Sequence, residues 1–356
     1  MRALRWHGPR DLRLEDVAQP TAEPGRLVVE VALCGLCGTD LHEYAHGPSM
    51  IPRGPHRLTG QEPPVTLGHE FVGRVGEIDE SDRVAAEAAG LRVGTRVVVD
   101  PTVRCGACRW CRVGQYQQCP ASGSIGLAVD GGFASHVRAP LGNVHVVPDA
   151  VPDELAAVAE PLAVGLHAVT RGGVRPGDNV LVQGAGPIGL ACVLSARAAG
   201  AGQVFVSEPS PARGRLATEL GADVVLDPTA SDVRREVFLA TGRVGPDVVL
   251  EATGVNAVAV ASVDTVRRGG TVVMAGIGGA DLTLDARKIV LYERTVRGSL
   301  GYSYDIPRVL ALMAAGRLDP RPMISGVVPL ADGIAAFDAL LADRSSGAKV
   351  LLQPER

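Results

Sequence analysis

The chain has 356 residues, with 35 Lys and Arg against 39 Asp and Glu and a hydrophobic content of 46%. That length suits two domains of ordinary size, and the near balance of charge offers no basic field for nucleic acid or anionic lipid. No stretch provides about 18 uninterrupted apolar residues for a membrane span, and MRALRWHGPRDLRLED at the N-terminus lacks the apolar run of a secretion signal, so a cytoplasmic protein is expected.

Residues 1–150 carry short Val-rich runs such as LVVEVAL (27–33) and TRVVVD (95–100) between Gly and Pro turns. Such runs read as strands of an antiparallel, barrel-like domain. The first run ends in CGLCGTDLHEY (34–44). Cys34 and Cys37 suit a redox pair, half of a zinc cage, a piece of core, or a site in which one sulfur works, and spacing alone leaves these open. Further on, RCGACRWCRVGQYQQC brings Cys105, Cys108, Cys111 and Cys119 into a lobe over 104–120. Four thiolates in one short loop close a tetrahedron on Zn²⁺ with no open position, which reads as a structural site. An iron–sulfur cluster is the rival, although nothing else in the chain suggests electron transfer. A zinc-ribbon nucleic-acid module is the non-enzymatic reading, and the near-neutral charge argues against it.

From about residue 155 the texture changes. The run DELAAVAEPLAVGLHAVTR is helical in character. NVLVQGAGPIG, QVFVSEPS, ADVVLDP, PDVVLEATG and GGTVVMAGIG then alternate with helical segments. That alternation predicts a parallel, doubly wound α/β sheet. GAGPIG contributes Gly184, Gly186, Pro187, Ile188 and Gly189, between a strand and a helix. The glycines permit a tight turn, close approach to a pyrophosphate and close helix–strand packing. Glu208 ends the next strand at the spacing of a ribose-binding acid, and its charge favours NAD over NADP. Arg213, nearby, softens that preference. After 297 a helix around 305–315, ISGVVPL, a helix around 331–342 and AKVLLQ follow. Pattern alone does not decide whether this tail extends the sheet or returns to the first domain.

Together CGLCGTDLHEY, GHEFVGRV (68–75), the cysteine lobe, GGFASHV (131–137), AEPLAVGLHAV (159–169), VQGAGPIG and RGSLGY (297–302) resemble the zinc-dependent medium-chain dehydrogenase/reductases. HEYAHGPSMIP, HRLTGQEPPVTLGHEF and VSEPSPAR are most similar to the butanediol dehydrogenase branch, with sorbitol and threonine dehydrogenases as neighbours. The resemblance implies a GroES-like β-rich catalytic domain over 1–155, a Rossmann cofactor domain over 156–296, and a segment 297–356 returning to the catalytic domain. It implies that Cys37, His69 and Glu160 hold a catalytic zinc, with Glu70 alternating as a ligand or bonding to one, while Cys34 packs. Thr39 then takes the substrate proton and His42 relays it to solvent. A histidine suits that task because its charge changes near neutral pH.

The implied reaction is hydride transfer between a secondary alcohol and NAD, the substrate being a vicinal diol or hydroxyketone such as butanediol or acetoin. Two zinc ions per chain and a homodimer or homotetramer are implied as well. A polyol, aminocyclitol or threonine-type dehydrogenase is the alternative on the same scaffold, and a zinc-stabilised nucleotide-binding or nucleic-acid-binding protein is the non-enzymatic one. His46, like His7, His56, His136 and His145, is assigned to surface or packing. Two departures from the branch stand out: EIDESDRVAAEAAGLRVGTRV is several residues longer, and Thr95 stands where Asp is common.

Overall fold

The computed structural model describes residues 1–279, 281–343 and 349–355, and the chain divides into two compact units. The first unit comprises Met1–Glu160 with the described residues of 324–343 and 349–355, and the second comprises Pro161–Met323.

A seven-stranded sheet organises the first unit. Its strands run in the order Val144–Val146, Arg96–Val99, Glu70–Glu77, Arg26–Gly35, Lys349–Gln353 and Ile324–Pro329, and His136–Pro140 also pairs with Arg26–Gly35. In Arg26–Gly35 nearly every residue is buried and Glu30 alone is exposed. A strand covered on both faces reads as a continuous apolar run rather than an alternating one. Register then does the positioning. Gly35 lies opposite both Glu70 and Leu351, so residues from three distant parts of the sequence meet across this strand. A Cβ added at Gly35 would stand 2.5 Å from Glu70 Oε2. The missing side chain lets the carboxylate lie against the strand.

Past Gly35 the chain turns into helix Gly38–His46. Cys37 caps its start: the sulfur accepts from Thr39 N at 3.5 Å, and Asp40 Oδ2 accepts from Cys37 N at 3.0 Å. The two bonds satisfy reciprocal donors as in a capping box. Several of the few large side chains gather in the core of this unit. Trp6, Tyr44, Phe71, Phe133 and Phe337 share one buried cluster with the aliphatics. Phe337 stands edge-on to Tyr44 at 5.5 Å and to Phe133 at 6.0 Å between centroids. Each such burial contributes on the order of 1.5–3 kcal/mol. The long segment after Glu77 folds as a 3₁₀ turn, Glu80–Asp82, and a short helix, Arg83–Ala88. Thr95 Oγ1 accepts from Arg92 N at 3.0 Å, so a hydroxyl stops the turn there in place of a carboxylate.

The second unit is built on a six-stranded sheet ordered Val224–Leu226, Gln203–Ser207, Asn179–Gln183, Val248–Glu251, Thr271–Met274 and Thr295–Gly298. All its pairings are parallel. Leu181, Phe205, Val249, Val263 and Val272 form its core. The chain adds strands first to one side of Asn179–Gln183 and then to the other. Strand order therefore reverses between Asn179–Gln183 and Val248–Glu251, and ligands of such sheets bind outside the carboxyl ends at that point. Thr295–Gly298 is the sixth strand, in register as far as Met274 with Gly298. Because of this strand and helix Ile306–Ala314, the chain re-enters the first unit at Ile324 rather than at 297. No helix among the described residues is long and apolar enough to cross a membrane.

Candidate active site

The first unit contains a cluster in which Cys37, His69 and Glu70 each offer a ligand atom within 4.8 Å of the others. Cys37 comes from the cap of helix Gly38–His46, and His69 and Glu70 from the start of strand Glu70–Glu77. His69 and Glu70 are buried. Asp40 Oδ1 stands 3.4 Å from His69 Nδ1, and both atoms are buried without a hydrogen bond. Burial alone would lower the His69 pKa, but the Asp40 carboxylate and the Cys37 sulfur beside it raise it well above the ordinary range. A sulfur, an imidazole and a carboxylate converging in a buried place, with polar atoms still unsatisfied, fit a divalent ion of the zinc type.

Glu160 keeps a solvent-facing edge within a densely enclosed position at the head of helix Ala159–Gly172. Its carboxyl is pushed up to about 7, first by burial and then by the neighbouring Glu70 charge, with His69 and Lys349 opposing. Glu160 thus feels the cluster electrostatically but does not join the three converging ligand atoms. Thr39 and His42 lie on helix Gly38–His46, Thr39 partly buried and His42 exposed. Cys34 is fully buried with its thiol pushed up by burial, and it packs where a Cβ at Gly68 would meet its sulfur at 2.8 Å.

One partner was not foreseen from sequence. Lys349 Nζ is buried and donates to both oxygens of Glu70 at 2.5 Å and to Leu36 O at 3.2 Å. Burial would lower the Lys349 pKa, but the Glu70 carboxylate and Cys37 outweigh it and raise it. The ammonium balances a charge that would otherwise be buried alone, a situation costing several kcal/mol.

The lobe brings Cys105, Cys108, Cys111 and Cys119 together within the same 4.8 Å limit. Sγ atoms of Cys108 and Cys111 are 3.5 Å apart, and those of Cys119 and Cys105 are 3.6 Å apart. Sulfurs bound at about 2.3 Å to one tetrahedral ion stand ~3.8 Å apart, so the spacing fits a single zinc. Backbone N–H groups of Ala107 and Cys108 lower the Cys105 thiol to about 6, while burial pushes Cys111 up to about 12. A bound cation would hold all four as thiolates. Arg104 ties the lobe down, lying 4.0 Å over the Tyr116 ring and 3.1 Å from Asp100 Oδ2.

In the second unit the turn after strand Asn179–Gln183 has the form expected of a dinucleotide site. Gly184 has φ +90°, and a Cβ at Gly189 would meet Gly184 O at 1.9 Å, so the protein itself requires both glycines. Gly186 is different, because nothing lies within 4 Å of a Cβ there. Its bareness leaves room for a group from outside, at the head of helix Pro187–Ala198, which has no side-chain cap. Pro187 opens that helix, followed by Ile188. Free N–H groups and the helix dipole there suit a pyrophosphate. Glu208 is buried and accepts from Ala185 N at 2.7 Å and Ser210 N at 2.9 Å, linking the glycine turn to the next loop. Arg213 N bonds to the capping Ser210 Oγ at 3.4 Å.

The family described as "Alcohol dehydrogenase GroES-like domain" matches residues 23–149, and that described as "Zinc-binding dehydrogenase" matches residues 187–315. (R,R)-Butanediol dehydrogenase of Bacillus subtilis (strain 168) is 37% identical over 358 residues, covering 99% of this chain and 100% of the relative. The crystal structure of 2R,3R-butanediol dehydrogenase from Bacillus subtilis superposes with a TM-score of 0.93 at 37% identity, covering 99% of both chains. A zinc-binding dehydrogenase from Sinorhizobium meliloti 1021, whose structure is bound to NADP, has a TM-score of 0.87 at 33% identity, covering 99% of both chains. The GroES-like and Rossmann folds, the converging Cys37, His69 and Glu70 and these matches over nearly the whole length make the chain a member of the zinc-dependent alcohol dehydrogenase family.

Proposed function

We propose that the enzyme oxidises a vicinal diol to a hydroxyketone with NAD, and runs the reverse reduction, on a butanediol/acetoin type of pair. The observation that carries the reading is the convergence of Cys37, His69 and Glu70, in a chain 37% identical throughout to a butanediol dehydrogenase. Zinc, when bound, supplies Lewis acidity to the alcohol oxygen, and NAD supplies the hydride acceptor.

The remaining work falls to side chains of this protein. Asp40 Oδ1 faces His69 Nδ1 at 3.4 Å, and Lys349 fixes the Glu70 carboxylate. Glu160 offers a second carboxylate near the first. Thr39 receives the hydroxyl proton of the substrate, and His42, exposed on the same helix, passes it to solvent. The lobe cysteines hold a second, structural zinc. Gly184, Gly186, Pro187, Ile188 and Gly189 receive the pyrophosphate. Glu208, with its carboxylate buried beside the glycine turn, repels a 2′-phosphate, and Arg213 moderates that repulsion. The seven cysteines, all free among the described residues, suit a reducing cytoplasm. Assembly as a homodimer or homotetramer belongs to the same reading and rests on the family resemblance.

The test is NADH absorbance with a panel of diols, polyols, threonine and aminocyclitols. Turnover is expected to be highest with 2,3-butanediol and to fall at least about tenfold in kcat/KM for polyols, a difference of ~1.4 kcal/mol. A polyol as best substrate would replace the diol assignment. Glu208→Ala is expected to raise the KM for NAD and admit NADP, and an unchanged cofactor ratio would remove that role from Glu208.

A further inference from the structure

Helix Gly38–His46 carries two histidines four residues apart, His42 and His46, which places one above the other on a single face. Both are exposed. Their ring centroids are 5.5 Å apart, with planes at 86°. Among the described residues neither ring has a hydrogen-bond or ion-pair partner, whereas His7, His69, His136 and His167 each face a polar group.

Two imidazoles bind one first-row ion through nitrogens at about 2.0–2.1 Å, which sets those nitrogens roughly 3 Å apart. Rings centred 5.5 Å apart reach that separation when their nitrogens turn inward. Both side chains are solvent-facing, so nothing in the core resists the rotation. His46 is the last residue of its helix, where unpaired carbonyls favour a positive charge.

We propose that His42 and His46 form a surface site for Zn²⁺ or a similar imidazole-seeking ion, completed by water, and that filling it inhibits the enzyme. The binding half stands on the two rings alone. The inhibition half rests on the proposed relay role of His42, because the ring lone pair that would accept the proton is donated to the ion instead. With two protein ligands the site is weaker than the four-cysteine lobe or the buried cluster. It fills only when free metal exceeds what those two sites take up. Mg²⁺ and Ca²⁺, which prefer oxygen, do not compete, and Cu²⁺ binds more tightly than Zn²⁺.

The experiment titrates zinc-replete enzyme with ZnCl₂ while NADH formation is followed, and compares wild type with His46→Ala. In wild type, turnover is expected to fall by at least about 80% and to recover on removing the excess ion, with MgCl₂ inert. His46→Ala is expected to keep basal turnover and to need at least about tenfold more zinc for half-inhibition. Electron paramagnetic resonance of one added Cu²⁺ is expected to show two coupled nitrogens in wild type and one in the variant. Identical inhibition curves and identical copper spectra in the two proteins would overturn the site. Copper binding that depends on His46, in an enzyme whose His42→Gln variant keeps full turnover, would uphold the site while overturning both the inhibition and the relay role of His42.

Discussion

The two cysteine-bearing regions of the first unit are built in opposite ways. The lobe draws all four thiols from residues 105–119, and its own backbone holds the sulfurs, with Cys108 N donating to Cys105 Sγ at 3.3 Å and Cys111 N to Cys108 Sγ at 3.5 Å. The buried cluster takes Cys37 from the cap of helix Gly38–His46 and His69 and Glu70 from the start of a strand, and it is backed by Lys349, 279 residues beyond Glu70. A loop that supplies every ligand saturates its ion and leaves nothing for a substrate. A site spread across a sheet depends on the whole fold, and the three ligand atoms converging here are one fewer than a tetrahedral ion takes. The two also differ in charge: four thiolates on one divalent ion keep a net negative charge in a partly exposed lobe, whereas the buried Glu70 carboxylate is met by Lys349.

Loss of the Cys37 sulfur separates the two regions most sharply. Cys37→Ala is expected to lower kcat by at least about a thousandfold, several kcal/mol of transition-state stabilisation, while NADH binding measured by fluorescence stays within about twofold of wild type. Turnover near the wild-type rate would detach the buried cluster from the chemistry. Next in size is Lys349→Met, which strands the buried Glu70 charge. Urea unfolding should register a loss of about 3–5 kcal/mol, with Lys349→Arg retaining part of it. Stability equal to wild type would mean that Glu70 needs no counter-ion.

On the lobe side, Cys108→Ser should remove one zinc and cost about 2 kcal/mol, a drop of ~4–8 °C in Tm for a domain of this size. Folded molecules should still turn over substrate, since the lobe has no open position. Abolished turnover at full stability would give the lobe a catalytic part that its saturated geometry does not support.

The smallest effect concerns Glu160. Its folded pKa, about 7, lies above the ordinary 4.5. The metal-free fold therefore has its Glu160 contribution intact below 4.5 and loses it as pH rises through 7. Metal-free wild type should melt at a lower temperature at pH 8 than at pH 5 by more than metal-free Glu160→Gln does. Equal pH dependence in the two proteins would contradict that enclosed setting.

Legibility from sequence followed the same local-versus-distant divide. The glycine turn and the lobe were readable because each is contiguous and the physics lies within a few residues. Cys37 and His69 were reachable only through family resemblance, because periodicity makes Cys37 an ordinary small hydrophobe and His69 an ordinary core histidine. The resemblance names Glu160 as third ligand and Glu70 as its alternate, whereas Glu70 is the carboxylate that converges with them. The Lys349–Glu70 pair escaped both routes, since sheet register rather than any local pattern brings the strands beside Gly35 together. A signal did exist: the chain uses Arg almost throughout and has lysine only at Lys288 and Lys349. The return of the chain at Ile324 was hidden for a similar reason. Thr295–Gly298 is a short edge strand whose place in the parallel sheet depends on pairing with Thr271–Met274.

The most direct test of two differently built metal sites is zinc content per chain, measured by mass spectrometry of the metal in wild type, Cys37→Ala and Cys108→Ser. Wild type is expected to hold two zinc ions and each variant one, with turnover lost only in Cys37→Ala. A Cys37→Ala protein that still holds as much zinc as wild type would contradict zinc binding at Cys37.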